Sequence, residues 1–104
     1  MVSRVGRASV SRTYVVTYDV ANDKLRSRVS SLLESRGERV QESVFECRLS
    51  EAALAEMTRT LAQLLASDPR ASVRFYPVCA SCLAGATGLG RIVPRRSSGP
   101  CVVV

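Results

Sequence analysis

Residues 13–19 read Thr-Tyr-Val-Val-Thr-Tyr-Asp, a run of β-branched and aromatic side chains that predicts a strand. Its apolar character on both faces indicates a central position in a sheet. Asn22 and Asp23 come next as N-cap and first-turn residues, so we expect a first helix from Asp23 to about Arg36. Gly37 is a natural stop for that helix. Its apolar stripe at helical spacing consists of Leu25, Val29, Leu32 and Leu33.

The pattern returns to strand type from Glu38 to Leu49, and a tight turn near Glu42 and Ser43 divides this segment into two short strands. Ser50 then caps a second helix that runs to about Ser67. The expected buried face of this helix contains Leu54, Met57, Leu61, Leu64 and Leu65.

The last strand of the predicted domain is Ser72–Val78, and it contains Pro77. Because proline cannot donate to a strand ladder, we expect this strand at an edge of the sheet. The element order is therefore β-α-β-β-α-β, which predicts an α+β, ferredoxin-like fold with two helices on one face of an antiparallel sheet.

The composition of the chain excludes several classes of catalytic site and of protein. Its 104 residues are 46% hydrophobic and 23% charged with a net charge of +6, typical of one small globular domain. The chain contains fourteen arginines, one lysine and nine acidic residues, and it has no histidine. The lack of histidine excludes Ser-His-Asp triads, Cys-His pairs and zincin motifs. No apolar run approaches the roughly 20 residues that span a bilayer, so a membrane protein is excluded as well.

The two ends differ from the middle of the chain. Residues 1–12 contain three arginines and no acid, and they lack the apolar segment of a signal peptide. We therefore expect a cytoplasmic protein with a disordered basic arm over 1–12, or an arm that tracks phosphates. A domain over 13–78 is followed by a tail over 79–104, with a short strand expected near Leu89–Val93. The terminus Cys101-Val-Val-Val104 favours burial against a sheet edge of its own chain or of a partner.

The four cysteines are Cys47, Cys79, Cys82 and Cys101. Only Cys79 and Cys82 have ligand-like spacing, and no second CxxC completes a zinc site, although a four-thiolate site is conceivable. A redox pair would need its CxxC to open a helix after a strand, whereas this one enters a glycine-rich segment. Reduced thiols are therefore the expectation.

Asp19 is the candidate catalytic carboxylate, and Asp23, four residues further on, is another possible site residue. Asp19 ends the first strand, where loops of layered α/β folds commonly bind ligands, and it is either a turn residue or a metal ligand. One aspartate holds Mg²⁺ poorly, because the ion takes six oxygens. A two-fold axis joining two copies of Asp19 would supply two carboxylates and could activate water without histidine.

Basic and aromatic residues are the candidate nucleic-acid ligands. Arg26 and Arg28 flank the apolar stripe of the first helix on opposite sides, where they either cover the edge of the core or bind phosphates. Arg39 extends this basic set. Ser43 and Phe45 are the remaining possible site residues. Phe45 is most simply a core or hairpin residue, with base stacking as the alternative.

Three segments together resemble one known family. They are Tyr14–Asp19, Asn22–Val29 and Gly37–Cys47, which carry a YD pair, an RxR on the first helix and RxQxSVFE. These motifs resemble the CRISPR-associated endoribonucleases, the second of the numbered Cas proteins and the smaller of the two spacer-acquisition core proteins. The resemblance covers about Thr13 to Val78.

The resemblance implies a ferredoxin-like homodimer whose extra C-terminal strand extends the sheet of the partner. It further implies a divalent metal, normally Mg²⁺, held by Asp19 of both subunits. The positions that match Arg26, Arg28, Arg39 and Phe45 are tied in the family to substrate binding or activity. Some members cleave single-stranded RNA or double-stranded DNA, and others mainly bridge subunits of the adaptation integrase.

Three functions follow as hypotheses. The first is a Mg²⁺-dependent endonuclease for RNA or DNA that acts in spacer acquisition for antiviral defence. The second is a non-catalytic DNA-binding scaffold between subunits of the adaptation integrase. The third is an interaction module for a protein or small ligand, since this fold supports many functions.

Overall fold

The computed structural model describes residues 10–91, which form four strands and three helices. The strands are β1 (Ser11–Asp19), β2 (Gly37–Gln41), β3 (Val44–Ser50) and β4 (Ser72–Val78). The helices are α1 (Asp23–Glu34), α2 (Glu51–Leu65) and α3 (Ala80–Ala84).

Polar caps fix where the two long helices begin. The Asn22 side chain accepts a hydrogen bond from the Leu25 backbone N–H at 2.8 Å. The Ser50 hydroxyl accepts one from the Ala53 backbone N–H at 3.1 Å. Each cap satisfies a donor that has no partner inside its helix, and both predicted starting points are confirmed.

Gly37 has a different role from the predicted helix stop. Helix α1 ends at Glu34 with Ser35 as its C-cap, and Gly37 is the first residue of β2. A Cβ at position 37 would lie 2.3 Å from the Glu46 carbonyl oxygen and 2.6 Å from the Cys47 Sγ. Glycine is therefore required here because β2 and β3 approach each other closely, not because the helix must end.

The sheet is antiparallel with the order β2-β3-β1-β4. β1 occupies a central position, with Val16 opposite both Phe45 of β3 and Phe75 of β4. β4 lies at the edge, as the proline at position 77 predicts. The element order and strand order together are those of the ferredoxin-like α+β fold.

The two faces of the sheet have different surroundings. Alternate residues of β1 and β3 pack with α1 and α2 into a core. Its fully buried members are Val16, Val29, Leu33, Phe45, Cys47 and Leu49. The opposite face contains the intervening positions of β1, from Thr13 to Asp19, which are half-buried or exposed.

The ends of the domain differ in part from the predictions. Ser11 and Arg12, assigned above to the basic arm, belong to β1. Val10 precedes the strand and is exposed, and residues 1–9 of the arm lie outside the described residues. Of the strand expected near Leu89–Val93, the three described residues are not in a strand. The remainder of that strand, Cys101 and the valine terminus also lie outside the described residues. No helix within 10–91 is long and apolar enough to cross a membrane.

The Cys79–Cys82 motif opens a helix directly after a strand, contrary to the sequence-based expectation. β4 ends at Val78, Cys79 is the N-cap of α3, and Cys82 is the third residue of that helix. The glycines that suggested an irregular segment begin only at Gly85, which is the C-cap. Five helical residues fit between the strand and the glycine-rich segment.

Candidate nucleic-acid interface

Asp19 lies at the carboxyl end of β1, opposite Ser72 of β4. The alternation along β1 places it on the face of the sheet that α1 and α2 leave uncovered. Its side chain is exposed and forms no hydrogen bond or ion pair with any residue of the described part of the chain. An exposed carboxylate without a structural partner is available for a cation or a second subunit.

A cleft of about 190 Å³ adjoins this end of β1, and we call it the arginine cleft. It is lined by Tyr18, Arg26, Ser27, Ser30, Arg39, Glu42 and Ser43. The Tyr18 backbone N–H donates to the Ser43 carbonyl at 3.2 Å, and the Tyr18 hydroxyl donates to the Glu42 carbonyl at 3.3 Å. These bonds join the end of β1 to the β2–β3 turn and form one wall of the cleft.

Arg26 folds back over the loop between β1 and α1. Its Nη1 donates to the carbonyls of Val20 and Ala21, each at 3.1 Å, and its Nη2 pairs with the carboxylate of Asp23. These bonds use three of the five guanidinium donors and hold the group in a fixed orientation. The remaining donors are free to bind a phosphate in the cleft.

Arg39 connects the β2–β3 turn to helix α1. Its guanidinium donates to the Glu42 carbonyl and, at 2.7 Å, to the Ser30 hydroxyl. The same group lies 5.0 Å from the ring centroid of Phe45, within the range of a cation–π contact. Phe45 is fully buried beneath it, so in this structure the ring supports Arg39 and presents no face to a base.

The other two candidates lie outside the arginine cleft. Arg28 is exposed and makes no hydrogen bond or ion pair within residues 10–91. It projects from the other side of the apolar stripe of α1 than Arg26 does, because the two residues are 200° apart on the helix by the rule of about 100° per residue. Asp23 is engaged by Arg26 and also lies in the first turn of α1, where a negative charge is favourable.

Four cleft residues were absent from the sequence-based candidates: Tyr18, Ser27, Ser30 and Glu42. Tyr18 and Ser30 had signals that could have identified them: Tyr18 shares the helix-covered face of β1 with Val16, and Ser30 is one helical turn after Arg26. Glu42 contributes backbone bonds from the turn and adds one negative charge to a cleft with two guanidinium groups.

The donor set near Asp19 fits a divalent cation only in part. A carboxylate is a hard oxygen ligand of the kind that Mg²⁺ prefers, and Asp19 is exposed and unengaged. No group of three or more His, Cys, Asp or Glu side chains suited to a metal occurs among residues 10–91. One chain therefore supplies one carboxylate, which is half of the pair expected for the ion.

The sequence of this chain is similar to known CRISPR-associated proteins over most of its length. A family model described as CRISPR associated protein Cas2 matches residues 12–85. The CRISPR-associated endoribonuclease Cas2 4 of Rhodospirillum rubrum is 40% identical over 102 residues, which cover 97% of this chain and 80% of that protein.

Two solved structures have the same fold. Streptococcus pyogenes Cas2 superposes with a TM-score of 0.66 at 32% identity, covering 75% of this chain and 99% of that one. A chain of a partial Cas6-RT-Cas1–Cas2 complex gives a TM-score of 0.65 at 28% identity, covering 72% and 87%. The family match spans all of the sheet except Ser11, both long helices and every residue of the arginine cleft. The chain therefore belongs to the Cas2 family of CRISPR-associated proteins.

Proposed function

We propose that this chain is a metal-dependent endonuclease of spacer acquisition that acts as a homodimer on RNA or DNA. In this proposal the Asp19 carboxylates of two subunits hold one Mg²⁺ ion across a two-fold axis. The observation that carries it is the position of Asp19: its carboxylate is exposed and unengaged at the carboxyl end of β1, the same end at which Tyr18, on the opposite face of the sheet, lines the arginine cleft.

The residues of the chain have separate tasks in this proposal. Arg26 and Arg39 position the phosphodiester backbone with the guanidinium donors that their structural bonds leave free. The hydroxyls of Ser27, Ser30 and Ser43 supply neutral donors in the same cleft. A Mg²⁺ ion at the paired carboxylates would supply positive charge at the scissile phosphate and an activated water.

The name of the Rhodospirillum rubrum relative, an endoribonuclease, supports the nuclease activity. The lack of histidine is consistent with it, because hydrolysis at a metal centre needs no imidazole base. Within this proposal the dimer follows from the number of ligands, since one chain offers a single carboxylate at this site and Mg²⁺ takes six oxygens.

A non-catalytic scaffold is the second candidate function. The similarity to a chain of a partial Cas6-RT-Cas1–Cas2 complex favours it, because that protein is part of an assembly that contains Cas1. Here the arginines would bind duplex DNA between integrase subunits, and Asp19 would have no catalytic task. Binding would then depend steeply on salt through counterion release.

Cleavage of labelled single-stranded RNA and double-stranded DNA distinguishes the two functions. The comparison is wild type with Asp19→Asn, each assayed with Mg²⁺ and with a chelator. The nuclease proposal expects Asp19→Asn to lose about 100-fold or more in rate, because the ion contributes several kcal/mol at the phosphate.

Glu51→Gln is the matched control, since it removes the same charge from an exposed position. Glu51 follows Ser50, which pairs with Ser11 at the opposite end of β1 from Asp19, so this variant should cleave at the wild-type rate. Equal cleavage by Asp19→Asn and wild type would reject the nuclease site. DNA binding that survives in Asp19→Asn without any cleavage by wild type would favour the scaffold.

A further inference from the structure

Cys79 and Cys82 lie in one turn of chain at the start of α3, and both side chains are exposed. The Cys79 carbonyl accepts from the Leu83 backbone N–H at 3.0 Å, so the helical turn begins at Cys79 itself. Residues three apart in such a turn have Cα atoms about 5 Å apart, within the range that a disulfide bridges. The backbone already holds the two thiols at a distance at which they can be joined.

The Cys79 sulfur has a polar environment. Its Sγ lies 3.4 Å from the Ser81 hydroxyl and accepts from the Cys82 backbone N–H at 3.4 Å. Hydrogen bonds from the Ser81 hydroxyl, from the Cys82 N–H and from the Cys82 thiol lower the pKa of Cys79 from 9.0 to about 7. The pKa of Cys82 is raised, because its thiol bonds to Cys79 and lies next to that charge.

Cys47 has the opposite environment. It is fully buried beneath Gly37, and desolvation raises its pKa to about 11. The contrast shows two classes of cysteine among the described residues: an inert core thiol and an exposed pair with one activated member.

We propose that Cys79 and Cys82 form a reactive dithiol that closes to an intrachain disulfide by exchange with a small-molecule disulfide such as glutathione disulfide. Neither thiol belongs to the arginine cleft or to the site at Asp19. In the oxidised form a covalent bond joins Cys79 to Cys82 across the first turn of α3. This turn carries Leu83, which lines a second cleft with Thr13, Gly37 and Arg48.

The exchange balances in two steps. The Cys79 thiolate attacks one sulfur of the small disulfide, which forms a mixed disulfide and releases one small thiolate. The Cys82 thiol then loses its proton and attacks the Cys79 sulfur, which forms the intrachain bond and releases the second small thiolate. Two electrons pass from the cysteine pair to the small disulfide, which leaves as two thiols.

Tryptic mapping tests the proposal on the whole chain. Cleavage after Arg74 and Arg91 gives a peptide, Phe75–Arg91, that contains only Cys79 and Cys82. Cys47 falls in Val40–Arg48 and Cys101 in Ser97–Val104, so each alternative pairing produces a different mass. The folded protein is incubated with glutathione disulfide, quenched in acid, alkylated and digested.

We expect Phe75–Arg91 to be recovered two hydrogen atoms lighter and unalkylated. In Cys82→Ser the same peptide should carry one glutathione on Cys79, because the resolving thiol is gone. In Cys79→Ser it should remain mainly free. Recovery of the wild-type peptide with both thiols free, with stable glutathione attached, or joined to the Cys101 peptide overturns the proposal.

Alkylation rate tests the activation of Cys79 separately. With a pKa near 7, about half of the Cys79 thiol is ionised at pH 7. A thiolate of lower pKa is also a weaker nucleophile, which offsets part of this gain. The alkylation rate of Cys79 at pH 7 should therefore be about sixfold that of a cysteine whose pKa is 9.0. Ser81→Ala removes one hydrogen bond and should lower this rate and move its pH midpoint upward. A midpoint near 9 in the wild type, or one unmoved by Ser81→Ala, contradicts the assigned environment.

Discussion

Variants of Phe45 can show whether its side chain contacts nucleic acid or only stabilises the fold. It is 0% exposed, lies beneath the guanidinium of Arg39 and packs against Tyr18 with 6.2 Å between ring centroids. A ring in that position contributes to the stability of the core, whereas the hydrogen bonds of Arg39 to the Glu42 carbonyl and the Ser30 hydroxyl hold its guanidinium in the cleft. We therefore predict that variants of Phe45 lose activity only to the extent that they unfold.

Two substitutions of Phe45 should differ in how much they lower the free energy of unfolding. Phe45→Ala removes a buried ring and should cost about 3–5 kcal/mol, a large part of the roughly 5–10 kcal/mol that stabilises a domain of this size. Phe45→Leu keeps most of the volume and should cost about 1.5 kcal/mol or less. With an m-value near 1.5 kcal/mol per molar urea, the midpoints should fall by about 2–3 M and about 1 M or less.

Urea denaturation and anisotropy with labelled single-stranded RNA give the two readouts on the same samples. Phe45→Leu should stay folded at low urea and bind RNA as the wild type does. If the ring stacks on a base, the same variant would bind about 5- to 150-fold more weakly while folded. Weakened binding by folded Phe45→Leu would contradict a purely structural role for the ring.

Three further predictions concern packing, pH and charge. Gly37→Ala should cost about 1–3 kcal/mol in the free energy of unfolding, because its Cβ meets the Glu46 carbonyl, and an unchanged melting temperature would contradict this. Burial raises the pKa of Cys47 from 9.0 to about 11, so the folded state keeps a proton that the unfolded state loses. Stability should fall by up to about 2–3 kcal/mol as the pH rises from about 9 to 11, a loss absent from Cys47→Ala. Arg28 is exposed on α1, the helix that carries Arg26, so Arg28→Ala should reduce the slope of log affinity against log salt by about 1. Arg59→Ala on α2 should leave this slope nearly unchanged. Filter binding at several salt concentrations would measure both slopes.

Local chemistry explains why much of the fold was predictable from sequence. Asn22 and Ser50 are short polar residues just before apolar periodic segments, and both are the observed caps. Ser72–Val78 is bounded by turn residues and contains a proline, and both its limits and its edge position are confirmed. Such features depend on neighbours within a few residues, which the sequence displays directly.

The features that escaped prediction depend on contacts across the chain. Gly37 is fixed by its approach to Cys47, ten positions away on another strand, so its local pattern suggested a helix stop instead. The arginine cleft joins α1 to the β2–β3 turn, and only the folded chain places Ser30 against Arg39. Helix α3 is five residues long, too short to produce a periodic signal.

The pairing of two Asp19 carboxylates around one Mg²⁺ ion is tested most directly by the stoichiometry of metal binding. Isothermal titration calorimetry with Mg²⁺, on protein whose mass in solution is measured by light scattering, gives ions per chain. We expect a dimer that binds one ion per two chains and an Asp19→Asn protein that remains folded and binds none. Binding that persists unchanged in Asp19→Asn, or one ion per monomeric chain, would contradict the proposed site.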